Sequence, residues 1–250
     1  MSFINITSKG TTSIINMSRG KVNAINLDFV NEFSGHLAKL ADDPEIRAVM
    51  LTGNGKFFSF GFDIPEMYDY SKEEFTRYLI AFCNLYRELF LFPKPVIAAI
   101  NGHAVAGGCI MALACDYRIM VDNSAKMALN EVTFGSSIFA GTVAMLKHCA
   151  GNRSAEKVLL TGNMFSAKEA FGLGLVDELV TMEMLIENAA WKAEEYGRHC
   201  SPAFASLKQL LRQPVVDEWS RREEESIREF VEIWYSPATR EQTKGIVIRS

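Results

Sequence analysis

The 250-residue chain contains no Cys-x-x-Cys pair and no His-Glu-x-x-His run. Its four histidines, His36, His103, His148 and His199, are scattered, so no metal site is expected. The five cysteines (Cys83, Cys109, Cys115, Cys149 and Cys200) are odd in number and lack framework spacing. They read as reduced, mostly buried thiols of a reducing compartment. Positive charge is not in excess: 26 Lys and Arg face 30 Asp and Glu, a net charge of −4. That balance argues against nucleic-acid binding, although a local basic patch for one nucleotide stays open. No apolar run is long enough to span a bilayer, so no membrane partner is expected. The start, Met1-Ser-Phe-Ile-Asn-Ile-Thr-Ser-Lys9, lacks the basic and apolar regions of a signal peptide, and Ile246-Val-Ile-Arg-Ser250 carries no recognisable address. A cytoplasmic protein is expected. Neither G-x-x-x-x-G-K-[ST] nor G-x-G-x-x-G after a strand is present, so a nucleotide phosphate loop is not expected.

What is present is a globular composition, 48% hydrophobic and 22% charged, in a chain long enough to bury a sizeable core. Phe3–Ile6 and Ser13–Met17 predict an opening hairpin around Lys9-Gly10-Thr11. Val22–Leu27 reads as a loop, and Phe29, Phe33, Leu37 and Leu40 have helical spacing. Ala48–Thr52 reads as a short strand. Asp63-Ile-Pro-Glu66 reads as a helix start, with a carboxylate cap and a second carboxylate three residues on. A long helix is predicted over Lys72–Phe90, a buried strand over Lys94–Ile100 and a glycine turn over Asn101–Gly108. A helix from Cys109 and strands at Tyr117–Val121 and Lys126–Leu129 follow. Strands alternating with helices define an α/β protein. Beyond residue 181 only helices are predicted: Met182–His199, Pro202–Arg212 and Val215–Tyr235. The last carries Arg221-Arg-Glu-Glu-Glu225, read as a solvated face. It also carries an apolar stripe of Trp219, Ile227, Phe230, Val231 and Trp234, open to reading as core or as subunit contact.

Two glycine turns stand out as chemistry: Ser59-Phe-Gly-Phe-Asp63, and Ala106-Gly-Gly-Cys109 at a helix start. Glycine lets a ligand approach the backbone closely, and a helix N-terminus offers unpaired N–H donors. Two facing turns can hold an oxyanion between two amides; each alone reads as plain structure first. Glu131 sits among Leu129, Val132, Phe134, Ile138 and Phe139. It is either an exposed or ion-paired loop carboxylate, or a desolvated one with a raised pKa, suited to moving protons near neutral pH.

Several segments together resemble the crotonase (enoyl-CoA hydratase/isomerase) family. They are Phe57-Phe-Ser-Phe-Gly-Phe-Asp-Ile-Pro-Glu-Met67, Lys94-Pro-Val-Ile-Ala-Ala-Ile-Asn-Gly-His-Ala-Val-Ala-Gly-Gly108, Cys115-Asp-Tyr-Arg-Ile119 and Ala167-Lys-Glu-Ala-Phe-Gly-Leu-Gly-Leu-Val-Asp177. The resemblance runs from about residue 3 to 180 and implies a ββα spiral followed by a helical trimerisation region. It divides the chain into a catalytic core over 1–181 and an oligomerisation region over 182–250, with a homotrimer or dimer of trimers expected. It implies an acyl-CoA thioester substrate and no separate cofactor, coenzyme A being part of the substrate. Phe62 and Gly107 take the two oxyanion-hole positions through their backbone N–H groups. Lys21, Val22, Asn23 and Ala24, with Ser59, Phe60 and Gly61, match the loops along CoA. Asp63 reads as a helix cap first and a ligand second, with Ile64 beside it; Cys115–Arg118 reads as structural.

Hydratases of the family carry two glutamates at the acyl end. Here Glu131 matches the second, but Ile110 stands at the first position, three residues after Gly107. Adding water needs a base and an acid, whereas a 1,3-proton shift can use one carboxylate. The pattern resembles the mitochondrial-type Δ3,Δ2-enoyl-CoA isomerases, with Ile138 and Phe139 in an apolar loop suited to lining an acyl pocket. The alternatives are an enoyl-CoA hydratase or another lyase of the family, and a non-catalytic acyl-CoA-binding protein.

Overall fold

The computed structural model describes residues 2–246. Met1 and residues 247–250, which include most of the C-terminal segment read above for an address, lie outside it. Strands β1 (Ile4–Lys9) and β2 (Thr12–Met17) form the predicted hairpin, paired antiparallel from Ile4↔Met17 to Lys9↔Thr12. Then come β3 (Ala24–Ile25), α1 (Leu27–Asp42), β4 (Ala48–Thr52), β5 (Phe57–Ser59), β6 (Gly61–Phe62), α2 (Ile64–Tyr68) and α3 (Lys72–Phe90). The middle comprises β7 (Val96–Ile100), β8 (His103–Val105), α4 (Gly107–Ala114), β9 (Tyr117–Val121), β10 (Lys126–Ala128), a 3-10 turn at Glu131–Phe134 and α5 (Ala140–Thr161). The last part is β11 (Phe165–Ser166), α6 (Ala167–Gly172), β12 (Glu178–Val180), α7 (Leu185–Gly197), α8 (Pro202–Ser220), α9 (Glu223–Trp234) and α10 (Pro237–Thr243).

Apart from β3 and β6, the strands from β4 to β10 alternate between two sheets. One has the order β1-β2-β4-β7-β9-β12 and the other β11-β10-β8-β5, while β3 and β6 form a separate two-stranded ribbon. From β2 onward the larger sheet is parallel. Each middle turn of the chain, β4–β5, β7–β8 and β9–β10, lays one strand in each sheet, the spiral expected from the resemblance.

Local chemistry explains the long helices. Asn26 caps α1 by accepting from Phe29 N (3.0 Å), and Phe29, Phe33, Leu37 and Leu40 are its buried face. Ser71 and Glu74 form a reciprocal capping box on α3. The short strands β3 and β8 fall where a loop and a glycine turn are predicted. Neither is long enough to show a period in sequence; β8 exists because β5 and β10 flank it.

The helical tail departs from expectation at Pro214 and at Glu223, and it decides the open reading of the apolar stripe. Helix α8 runs straight through Pro214, where a break is predicted, and the break falls at Arg221–Arg222 instead. Pro214 is exposed, as is Leu210 four residues before it, so the carbonyl left without a donor lies on a wet side of the helix. The apolar stripe is core: Trp219, Ile227, Phe230, Val231 and Trp234 are all buried within the chain. Glu223, placed by the sequence on a solvated face, is buried, accepting from Tyr86 Oη and from Gly141 N (2.8 Å).

Helix α7 packs on β4, β7 and β9, and α8 is tied to the sheet by buried charge. Asp116, next to β9, pairs with Lys208 (2.7 Å) and Arg212 (3.0 Å) of α8 and accepts from Val96 N (2.7 Å). Burial pulls the Lys208 ammonium down to about 8, with Asp116 acting against that fall. Asp116→Ala would strand two buried cations. It is expected to lower unfolding free energy by about 3–5 kcal/mol, read as a shift in urea midpoint. An unchanged midpoint would show that these charges are not the tie.

Candidate active site

The parallel pairing of β8 with β10 sets the site. Ala104 lies opposite Met127 and Val105 opposite Ala128, and Ala106 N donates to Ala128 O (2.9 Å). The C-terminal ends of the two strands therefore lie side by side. One leads into α4 at Gly107 and the other into the 3-10 turn at Glu131. The carboxyl ends of parallel strands are where open α/β sheets carry their ligands.

Ala106 has φ +49°, ψ −119°, a backbone state costly for a residue with a Cβ. It is held at both ends, because its carbonyl accepts from Ile110 N (3.0 Å) while its amide is bound to β10. The strained turn starts α4 abruptly, and Gly107 is the first residue of that helix, whose first-turn amides have no intrahelical acceptor.

The ribbon β3–β6 brings in the second amide. Ala24 pairs with Gly61 and Ile25 with Phe62, and Asp63 N donates to Ile25 O (3.0 Å). Because successive amides of a strand point to opposite edges, the Phe62 N–H is directed away from β3. Gly61 has φ +92°, and a Cβ there would lie 2.9 Å from Gly107 N, Ala106 Cβ and Val105 O. A Cβ on Gly107 would lie 3.2 Å from the Phe62 ring. The two turns thus meet in space, and Gly61 is required for that approach.

Glu131 is 8% exposed, and its Oε2 is buried without a hydrogen-bond partner among the described residues. Burial pushes the carboxyl from 4.5 up to about 8, opposed weakly by its own backbone amide. It is not exposed, and among the described residues it has no ion-pair partner. The Cys109 thiol beside it is pushed well up, first by its own burial and then by the Glu131 charge. Ile110 is buried on α4. An aromatic wall stands beside the Gly107 turn: Phe62 packs edge-on against Phe82 (4.8 Å) and Tyr78 (5.0 Å), and Phe139 lies 6.4 Å from Phe62 and stacks on Phe230 at 4.8 Å.

The remaining predicted residues fall in four places. Lys21 and Val22 line a surface groove of about 530 Å³ with Lys56 and Phe57, and Phe60 is exposed nearby, its N–H donating to Val22 O (2.9 Å). Asn23, Ala24 and Ser59 are buried. Asn23 Nδ2 donates to Phe57 O and Phe58 O, and Ser59 Oγ donates to Asn23 O (2.7 Å). These side chains shape the turns from within. Asp63 caps α2 through Glu66 N (3.3 Å) and pairs with Arg19 (2.6 Å); Ile64 is half-buried on α2. Ile138 lines a separate groove between α5, α8 and α9 that holds none of the other predicted site residues.

The sequence does not mark Arg19, and it gives Glu66 only as a helix-start carboxylate and Glu223 only as part of a solvated run. Arg19 adjoins the Lys21–Ala24 loop, but its acceptors on α2 lie more than forty residues away, at Asp63 and Glu66.

A protein with this two-sheet spiral and paired glycine turns matches the enoyl-CoA hydratase/isomerase family model over residues 7–246. The chain belongs to that crotonase family. It is 34% identical over 220 residues to the mitochondrial enoyl-CoA delta isomerase 1 of Rattus norvegicus, covering 87% of this chain and 76% of that one. It is 37% identical over 178 residues to a putative enoyl-CoA hydratase of Thermus thermophilus, covering 70% of each. Among solved structures, human mitochondrial delta3-delta2-enoyl-CoA isomerase superposes with a TM-score of 0.93 at 27% identity, over 97% of this chain and 96% of that one. Among the described residues, no helix is long and apolar enough to cross a membrane.

Proposed function

We propose that the protein is a Δ3,Δ2-enoyl-CoA isomerase working through Glu131 alone. The observation that carries this reading is a buried, unpartnered carboxylate at Glu131 with isoleucine, not a second carboxylate, at position 110. The ionised Glu131 takes a proton from C2 of a 3-enoyl thioester, and the negative charge moves through the dienolate onto the thioester oxygen. Phe62 N–H and Gly107 N–H donate to that oxygen. Glu131, now protonated, returns the proton to C4, leaving the 2-trans product and a regenerated carboxylate. Aromatic walls from Phe62, Phe82 and Phe139 keep water from the dienolate. The groove at Lys21, Val22 and Lys56 suits the nucleotide end of coenzyme A, with its phosphates near two ammonium groups.

Hydratases stand at similar identity, so the test pairs two assays of purified protein: 3-enoyl-CoA alone, and 2-enoyl-CoA in water. Isomerisation well above hydration is expected; efficient hydration would overturn the proposal.

Assembly as a homotrimer or dimer of trimers accords with the exposed Leu207, Leu210 and Leu211, spaced to share one face of α8. A monomeric mass by light scattering at assay concentration would refute it.

A further inference from the structure

The ribbon that presents the Phe62 amide has only two residue pairs, Ala24↔Gly61 and Ile25↔Phe62. So short a ladder is weak by itself, since even full hairpins are marginal without packing. One side chain spans its end. Arg19 Nη1 donates to Ala24 O on β3 (3.0 Å) and to Asp63 Oδ2 (2.6 Å), directly after Phe62. Arg19 Nη2 donates to Glu66 Oε2 on α2 (3.0 Å). Glu66 is itself held, accepting from Asn26 Nδ2 (2.9 Å) at the cap of α1 and from Tyr70 Oη (2.7 Å). The Arg19 amide also donates to Asn23 Oδ1 (3.1 Å), fixing the turn that enters β3. A guanidinium is a rigid planar fork, so three acceptors on it define the offset between β3 and α2 in a way a single ammonium cannot.

We propose that Arg19 is a positioning residue, clamping β3 to the start of α2 so that the Phe62 N–H stays aimed at the thioester oxygen. This rests on the oxyanion pair proposed above. Arg19 acts through Ala24 and Asp63 and belongs to no reacting group itself.

The test uses Arg19→Gln, Arg19→Lys and Asp63→Asn in the full-length protein. Asparagine keeps the acceptor that caps α2 while removing the charge Arg19 holds. Acetoacetyl-CoA serves as the probe, because enolisation in an oxyanion site gives its own ultraviolet band without any turnover. The wild type is expected to show the band, and Arg19→Gln and Asp63→Asn to lose most of it. In turnover with 3-enoyl-CoA, kcat is expected to fall about tenfold or more in both, with KM changed by less than about threefold. Arg19→Lys is expected to recover little. The double variant Arg19→Gln/Asp63→Asn is expected to lose no more than the worse single, since both break one clamp.

A retained band and kcat in Arg19→Gln would overturn the proposal. So would a loss confined to KM or to melting temperature, full recovery by lysine, or additive losses in the double variant. If Arg19→Gln fails to fold, Asp63→Asn, with its cap intact, carries the same readouts. A wild type that gives no enolate band would sink the oxyanion reading itself, and this proposal with it; a band lost only in the variants separates the two.

Discussion

Glu131→Gln is expected to lower isomerisation of 3-enoyl-CoA by about 10²–10⁴-fold, the range for removing a general acid–base group. Glutamine keeps the shape and volume, so KM should change little. Wild-type kcat/KM should rise with pH as the base ionises, with an apparent pKa of about 8, the value to which burial raises Glu131. The variant should gain stability where the wild type loses it. In the unfolded chain the carboxyl titrates near 4.5, and in the folded protein near 8. Between those values the folded state holds the extra proton, so this group's contribution to stability falls as pH rises. At 1.36 kcal/mol per pH unit the full penalty is about 5 kcal/mol above pH 8 and nil below pH 4.5. Glutamine has no charge to bury. Its urea midpoint should therefore exceed the wild type's by a margin that grows from pH 5 to pH 9. Full activity in the variant, or a margin that does not change with pH, would show that Glu131 is not the buried base.

Gly61→Ala is expected to cost kcat about 10²–10³-fold, the loss typical of one oxyanion donor. The new methyl would stand 2.9 Å from Gly107 N, Ala106 Cβ and Val105 O at once, on a backbone with φ +92° that alanine rarely adopts. Two of those three atoms are backbone, so relief has to come from β6 or the start of α4 moving apart. That motion separates the two amides and leaves Glu131 untouched. The loss should thus appear in kcat with an unshifted pH profile, and acetoacetyl-CoA should bind without its enolate band. A variant with wild-type kcat would mean that the close approach of the turns does not matter to turnover.

The legible parts of the fold were those with enough length to show a period. Helix α3 and the strands β4 and β9 fall where the apolar spacing puts them, to the residue. Strands β3 and β8 were not legible, because two or three residues carry no alternation and their existence depends on partners distant in the chain. Pro214 misled because its local signal, a helix break, is overridden where the freed carbonyl reaches water. Glu223 misled because three consecutive glutamates look alike in sequence, and only the fold decides which one turns inward to Tyr86 and Gly141. The same limit applies to the site. Glycine turns and an apolar neighbourhood marked Gly61, Gly107 and Glu131 as worth attention. Nothing local told that the turns touch, that Ser59 and Asn23 face inward, or that Arg19 braces the ribbon. Those are facts of long-range pairing.

Phe139 stacks on Phe230 of α9, so the aromatic wall beside Phe62 has its outer layer on a helix near the end of the chain. A ribosome builds the sheets, both turns and Glu131 well before it builds Phe230, and folding proceeds from the N-terminal side during synthesis. A chain that stops short of α9 therefore holds both glycine turns and Glu131 while lacking Phe230. The wall gains its outer layer only when α9 folds back against α3 and α5, so the last-made helices finish a surface that begins at Phe62.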